Sequence, residues 1–198
     1  MLKIVITPDP VLSKTAKEVK KIDKSIVKLL EGMIQSLLSA KDPVGVGLAA
    51  PQVGHSLQIF IAKPTSKSKI QVFINPNINP KIIQKTKISH LAIPRGRVMQ
   101  LNVSSSKKLQ GTKLEGCLSL PNIWGQVRRK PEITLSYLNE KGENHKQRFN
   151  RFMATIIQHE MDHLNGILFP KRVLEQKGQL YKSQKNEKGE DVFEEIDL

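Results

Sequence analysis

The chain has 198 residues and 38% hydrophobic content, enough for one compact domain with a core of its own. Nothing in it approaches the ~18 uninterrupted apolar residues of a membrane helix. Residues 1–7 form too short an apolar run for a secretory signal, so a cytoplasmic location is expected. The net charge is +14, and a single cysteine leaves no internal disulfide.

In chain order, residues 1–7 read as a short strand. From Asp23 onward, Ile26, Leu29, Leu30, Met33, Ile34, Leu37 and Leu38 recur at helical spacing, and residues 39–43 end that helix. Gly45-Val46-Gly47-Leu48-Ala49-Ala50-Pro51-Gln52 follows. Two glycines one residue apart suggest special backbone angles or the close approach of another group. The stretch lacks the glycine spacing and the Lys-Ser/Thr ending of a phosphate-binding loop. Gln52 reads in two ways: as a solvated turn residue, or as a neutral donor aimed at a developing oxyanion.

Residues 56–61 and 69–74 are rich in branched and aromatic side chains and read as strands joined by a hairpin loop. Asn75-Pro76 is expected to break the second one. A β-like run is expected over residues 81–88 and a loop over 103–107. Residues 63–113 carry eleven Lys and Arg and no acidic residue, a charge asymmetry that suits either a solvated surface or attraction to a polyanion. His55, His90 and His145 have no ligand partners nearby in sequence and read as structural or surface residues.

The lone cysteine sits in Glu115-Gly116-Cys117-Leu118-Ser119-Leu120-Pro121, expected to be an exposed loop. Cys117 suits either a small apolar thiol or a thiolate ligand for zinc or ferrous iron beside imidazoles. Residues 132–138 alternate as a strand, and 143–149 return as its hairpin partner. Asn150 is placed to cap the helix that carries His159-Glu160-Met161-Asp162-His163. Two histidines at i and i+4 lie on one helix face and can reach one cation, with Glu160 close to a water on it. Phe152, Ile156 and Ile157 just before the motif place it on a buried helix, and Asn165-Gly166 stops it. A helical turn is expected at 173–177 and a terminal β-hairpin on either side of residues 186–189.

Gly45-Val-Gly-Leu-Ala-Ala-Pro-Gln52, Glu115-Gly-Cys-Leu-Ser119 and Gln158-His-Glu-Met-Asp-His163 together resemble the three motifs of the peptide deformylase family, in the same order. The resemblance runs from the start of the chain to about residue 169. It implies an α+β fold: a single compact domain of mixed or antiparallel strands around a central H-E-x-x-H helix. A catalytic unit over residues 1–170 is expected, with a tail over 171–198. The resemblance assigns Cys117, His159 and His163 to a metal, ferrous iron by preference with zinc or nickel as substitutes. It makes Glu160 the general acid/base, and Gln52 with the Leu118 N–H the oxyanion donors. Val46, Gly47, Arg129, Phe152, Thr155 and Ile156 fall where the family holds its peptide. The implied reaction removes the formyl group from N-formyl-methionyl nascent peptides. The tail lacks the long basic helix that some members use at the ribosome, so the basic segment 63–113 is the expected ribosome contact. Two rivals are a metallopeptidase of the H-E-x-x-H kind and an inactive ribosome-surface protein. The first wants a later His or Glu as third ligand, and His163 is the last histidine in the chain.

Overall fold

The structure is a computed structural model describing residues 1–78, 114–187 and 189–197. The expected run at 81–88, the loop at 103–107, His90 and most of the basic segment lie outside the described residues. Helix α1 spans Lys24–Ser39. Asp23 caps it by accepting from the Ser25 and Ile26 N–H groups. Ile26, Leu29, Leu30, Met33 and Leu37 are buried as their spacing predicts, whereas Leu38 turns outward.

Strands β1 (Gly47–Ala49), β2 (Ile59–Ala62) and β3 (Gln71–Ile78) lead to β4 (Leu114–Cys117), β5 (Leu120–Gln126), β6 (Glu132–Leu138) and β7 (Asn144–Asn150). Helix α2 is Arg151–Leu164 and α3 is Phe169–Glu175, followed by β8 (Leu180–Lys185) and β9 (Asp191–Ile196). Pairing is antiparallel throughout, in one sheet of order β1-β2-β3-β6-β7 and another of order β4-β5-β8-β9. The fold is therefore α+β, as expected. The expected boundary after residue 170 falls inside α3, and β8 pairs with β5, so the tail shares a sheet with Cys117.

Three local expectations are corrected. Residues 1–7 form no strand; instead the Val5 N–H donates to the Gln52 carbonyl and the Thr7 N–H to that of Ser119, tying two motif loops together. Asn75-Pro76 does not end β3. The register against β6 shifts between Ile74 and Asn77, a bulge in which Asn75 takes φ 50° and the proline needs no ladder bond. The Asn75 amide then accepts from the Val19 N–H and donates to the Val19 carbonyl, both at 2.8 Å, which fastens the segment before α1 to the sheet. Finally, the Cys117 segment is a β-hairpin, and the thiol is buried rather than in an exposed loop. The hairpin folds inward because Cys117 packs with Phe169, Val173 and Leu180 of α3 and β8.

Helix α2 lies against the larger sheet. Ala154, Ile156, Ile157 and Leu164 pack with Ala49, Phe60, Phe73, Ile133, Leu135 and Phe149. Phe152 in the first turn is an exception at 42% exposed, because it precedes the stretch that the sheet covers. Asn150 stands at the N-cap position without a side-chain capping bond. Asn75→Ala removes both bonds to Val19 and puts a side chain that cannot bond locally into the left-handed region. An expected loss of about 2 kcal/mol is to be read from urea unfolding.

Candidate metal centre

The two histidines come from the period of α2, and the cysteine comes from the inner end of β4. Sheet packing brings them together: one ligand atom each from Cys117, His159 and His163 lie within 4.8 Å of one another. Cys117 Sγ is 3.2 Å from His163 Nε2. His159 Nδ1 donates to Glu115 Oε2 at 3.2 Å, which leaves Nε2 as the ring nitrogen on the Cys117 side. A thiol and two imidazoles converging in a buried spot are the donor set of a zinc or ferrous site with room for a fourth ligand. The residues fit a divalent metal.

Glu160 is buried, and its Oε2 has no hydrogen-bond partner among the described residues; His163 Nδ1 is in the same state. Gly47 lies directly against this carboxylate. A Cβ there would land on Glu160 Oε1 and lie 2.9 Å from Ile156 Cγ2, so the close approach anticipated for this glycine is to the Glu160 side chain. Gln52 is 2% exposed, which removes the solvated-turn reading. Its Oε1 accepts from the Ala49 N–H at 2.8 Å, and this turns Nε2 toward Cys117 Sγ at 3.4 Å and Ser119 Oγ at 3.3 Å. Leu118 occupies the turn beside Cys117, between β4 and β5.

Burial pushes the Glu160 carboxyl up to about 7; the His159 charge opposes this and Glu115 adds to it. His159 behaves differently. Burial disfavours its charge, yet hydrogen bonds to Cys117 and Glu115 outweigh burial and hold the ring well above the usual imidazole range. His163 is pushed well below that range by burial, helped by the charges on His159 and Arg129. Two imidazoles four residues apart thus hold opposite preferences for a proton.

The structure brings Gly47, Ile156 and Glu160 together, with half-buried Val46 and Thr155 in the neighbouring chain. It does not bring Arg129 to them as a free side chain. Arg129 donates to Glu115 from Nε at 2.9 Å and from NH2 at 2.8 Å, and to Asp162 Oδ2 from NH1 at 2.6 Å. A guanidinium engaged on both edges has little left for a peptide, so Arg129 is placed as a tie between β4 and α2. Glu115 and Asp162 were given no role by the sequence reading although both lie inside its motifs. The available signal was alternation: Glu115 and Cys117, two apart on a strand, share a face.

The sequence pattern described as Polypeptide deformylase matches residues 1–179. A peptide deformylase of Chlorobaculum tepidum is 39% identical over 170 residues, covering 83% of this chain and 75% of the relative. One of Desulfotalea psychrophila is 33% identical and covers 92% of this chain and 93% of its own length. The crystal structure of peptide deformylase from Thermotoga maritima superposes with a TM-score of 0.65 at 34% identity, covering 87% of this chain and 97% of that one. No described helix is long and apolar enough to cross a membrane.

In the unfolded chain Glu160 releases its proton near the ordinary value of 4.5, and in the folded chain only near 7. Between those values the folded state binds more protons, so this group's contribution to stability is full below pH 4.5 and is lost as pH rises to about 7. With the metal removed, Glu160→Gln is expected to gain on the wild type by about 3 kcal/mol across that window. Urea unfolding at each pH measures it, and a pH-independent difference refutes the buried ionisation. With the motifs assembled and their surroundings matched by sequence and by fold, the chain belongs to the polypeptide deformylase family.

Proposed function

We propose that this chain is a metal-dependent hydrolase that removes the N-formyl group from the formyl-methionine of nascent polypeptides in the cytoplasm, releasing formate. The observation that carries the reading is the convergence of Cys117, His159 and His163 beside a buried Glu160 oxygen that has no hydrogen-bond partner among the described residues. Family membership supports the substrate. Ferrous iron is the metal proposed to be held by the three ligands, with zinc or nickel as substitutes. When bound, the cation supplies Lewis acidity, polarising a carbonyl and lowering the pKa of a water toward neutrality.

Glu160 takes a proton from the water that attacks the formyl carbon. It then delivers that proton to the departing α-amine, and formate leaves. A carboxyl poised near neutrality suits both halves of this exchange. Gln52 Nε2 and the Leu118 N–H donate to the oxygen that gains charge; losing one such donor costs about 3 kcal/mol in other enzymes. The formyl carbon bears only hydrogen, so a wall at Gly47 rejects acetyl and longer acyl groups by shape. Val46, Thr155, Ile156 and Phe152 are assigned to the peptide and its methionine side chain. Arg129 is reassigned from the peptide to the support of His159 through Glu115. The catalytic unit is placed in residues 1–170, with 171–198 as a supporting tail.

Formate release from formyl-Met-Ala-Ser is the direct assay. Glu160→Gln is expected to keep its metal, seen by metal analysis, while losing turnover by about a thousandfold. Comparable activity in that variant refutes the assigned role. Cleavage of an internal peptide bond without formate release returns the metallopeptidase reading, although that reading leaves Cys117 unexplained.

The basic segment 63–113 is proposed as the contact with the ribosome, on the strength of its eleven cations and absent acids. Replacing Lys81, Lys85, Lys87 and Arg97 by Gln is expected to weaken co-sedimentation with ribosomes and to flatten its salt dependence. Unchanged co-sedimentation sinks this part of the proposal alone.

A further inference from the structure

Asp162, between the two motif histidines, carries a second cation that none of the three motifs contains. Its side chain is 10% exposed, and both of its oxygens are engaged. Arg129 donates to Oδ2 at 2.6 Å. From the other side Arg172 donates to Oδ1 from NH2 at 2.8 Å, while its Nε lies 3.2 Å from Oδ2 and 3.3 Å from Oδ1. Arg172 reaches this position because the chain reverses between α2 and α3. Gly166 takes φ 67°, its N–H donates to the His163 carbonyl, and the Ile167 N–H donates to the Asp162 carbonyl. Glu175, one turn further along α3, accepts from Arg172 NH1 at 2.9 Å and so fixes the outer edge of the guanidinium.

From Arg172 the polar contacts run without a gap through Asp162, Arg129 and Glu115 to His159 Nδ1. Two acids alternate with two guanidinium groups, so these four side chains balance in charge. Without Arg172, Arg129 becomes the one guanidinium shared by these two carboxylates, one on the strand and one on the helix. Any movement of Arg129 toward Asp162 loosens the grip of Glu115 on the His159 ring. The plainer reading is a surface ion pair of little consequence, since the Arg172 side chain is 32% exposed. The burial of Asp162 and the three bonds that Arg172 makes to it weigh against that reading.

We propose that Arg172 is a positioning residue of the metal centre, acting through Asp162, Arg129 and Glu115 to hold His159 with Nε2 turned to the ion. The inference rests on reading Cys117, His159 and His163 as the metal ligands. Outer partners of this kind typically change metal affinity by about 10–100-fold.

The test loads the full chain with Co²⁺ and follows transfer of the ion to a chelator, together with the visible ligand-field spectrum. Arg172→Gln is expected to release the ion about tenfold faster and to alter the spectrum, with unfolding of the metal-free protein little changed. Arg172→Lys, which keeps the charge but not the fork, is expected to fall between Gln and wild type. Arg148→Gln, which removes an exposed ion pair with Glu132, is expected to match the wild type. A Gln variant with wild-type release rate and spectrum overturns the inference, and so does equally fast release from Arg148→Gln. A wild-type chain that takes up no Co²⁺ overturns the metal-centre reading itself, and the inference with it.

Discussion

The Arg129 guanidinium, lodged between Glu115 and Asp162, is the contact on which the arrangement of the site depends. The cysteine belongs to a strand hairpin of the smaller sheet and the histidines to a helix packed on the larger one, so they lie in different core clusters. Apolar packing brings them close but is tolerant of small slides. A planar fork bonded to one carboxylate on each element is not, because each bond has its own direction. Buried ion pairs add little net stability once desolvation is counted. Their value here is the fixed relation between strand and helix.

The same enclosure decides where protons reside. Glu160 and His163 are buried and the His159 side chain is 12% exposed, yet burial acts on the three in different company. Glu160 gains its raised value mainly from desolvation. His159 keeps its charge because Cys117 and Glu115 hydrogen-bond to it, and that charge in turn depresses His163. A pocket that holds positive charge against a thiol, beside a carboxylate oxygen with no partner among the described residues, suits a cation and an exchanging proton. Gly47 is what allows the carboxylate to come so near β1.

The chain on either side of the motifs serves as frame. The N-terminal segment donates to the Gln52 and Ser119 carbonyls, joining the loop of one motif to the hairpin of another. At the other end, β8 extends the sheet of Cys117, and Trp124 Nε1 donates to Ser183 Oγ at 3.0 Å. Trp124 also meets the Phe193 ring of β9 edge-on. Phe169 and Val173 of α3 cover the thiol from the remaining side. The tail is therefore part of the wall around the Cys117 thiol.

The α1 and α2 faces, most of the strands and the candidate ligands Cys117, His159 and His163 were legible in the sequence, because helical and strand periods relate residues that are close along the chain. It placed His159 and His163 on one face and supplied Cys117 in a motif of its own. It misjudged Asn75-Pro76, since a bulge depends on the register of a partner strand. It also misjudged Cys117 as exposed, since what covers the thiol lies in the tail. The ion pairs of Arg129 were hidden for the same reason. Its partners are 14 and 33 residues away, and no local period links them. The engagement of the guanidinium, the opposite proton preferences of the two imidazoles and the approach of Gly47 to Glu160 are tertiary in origin. Each of these is set by packing between distant elements and by the burial that packing creates.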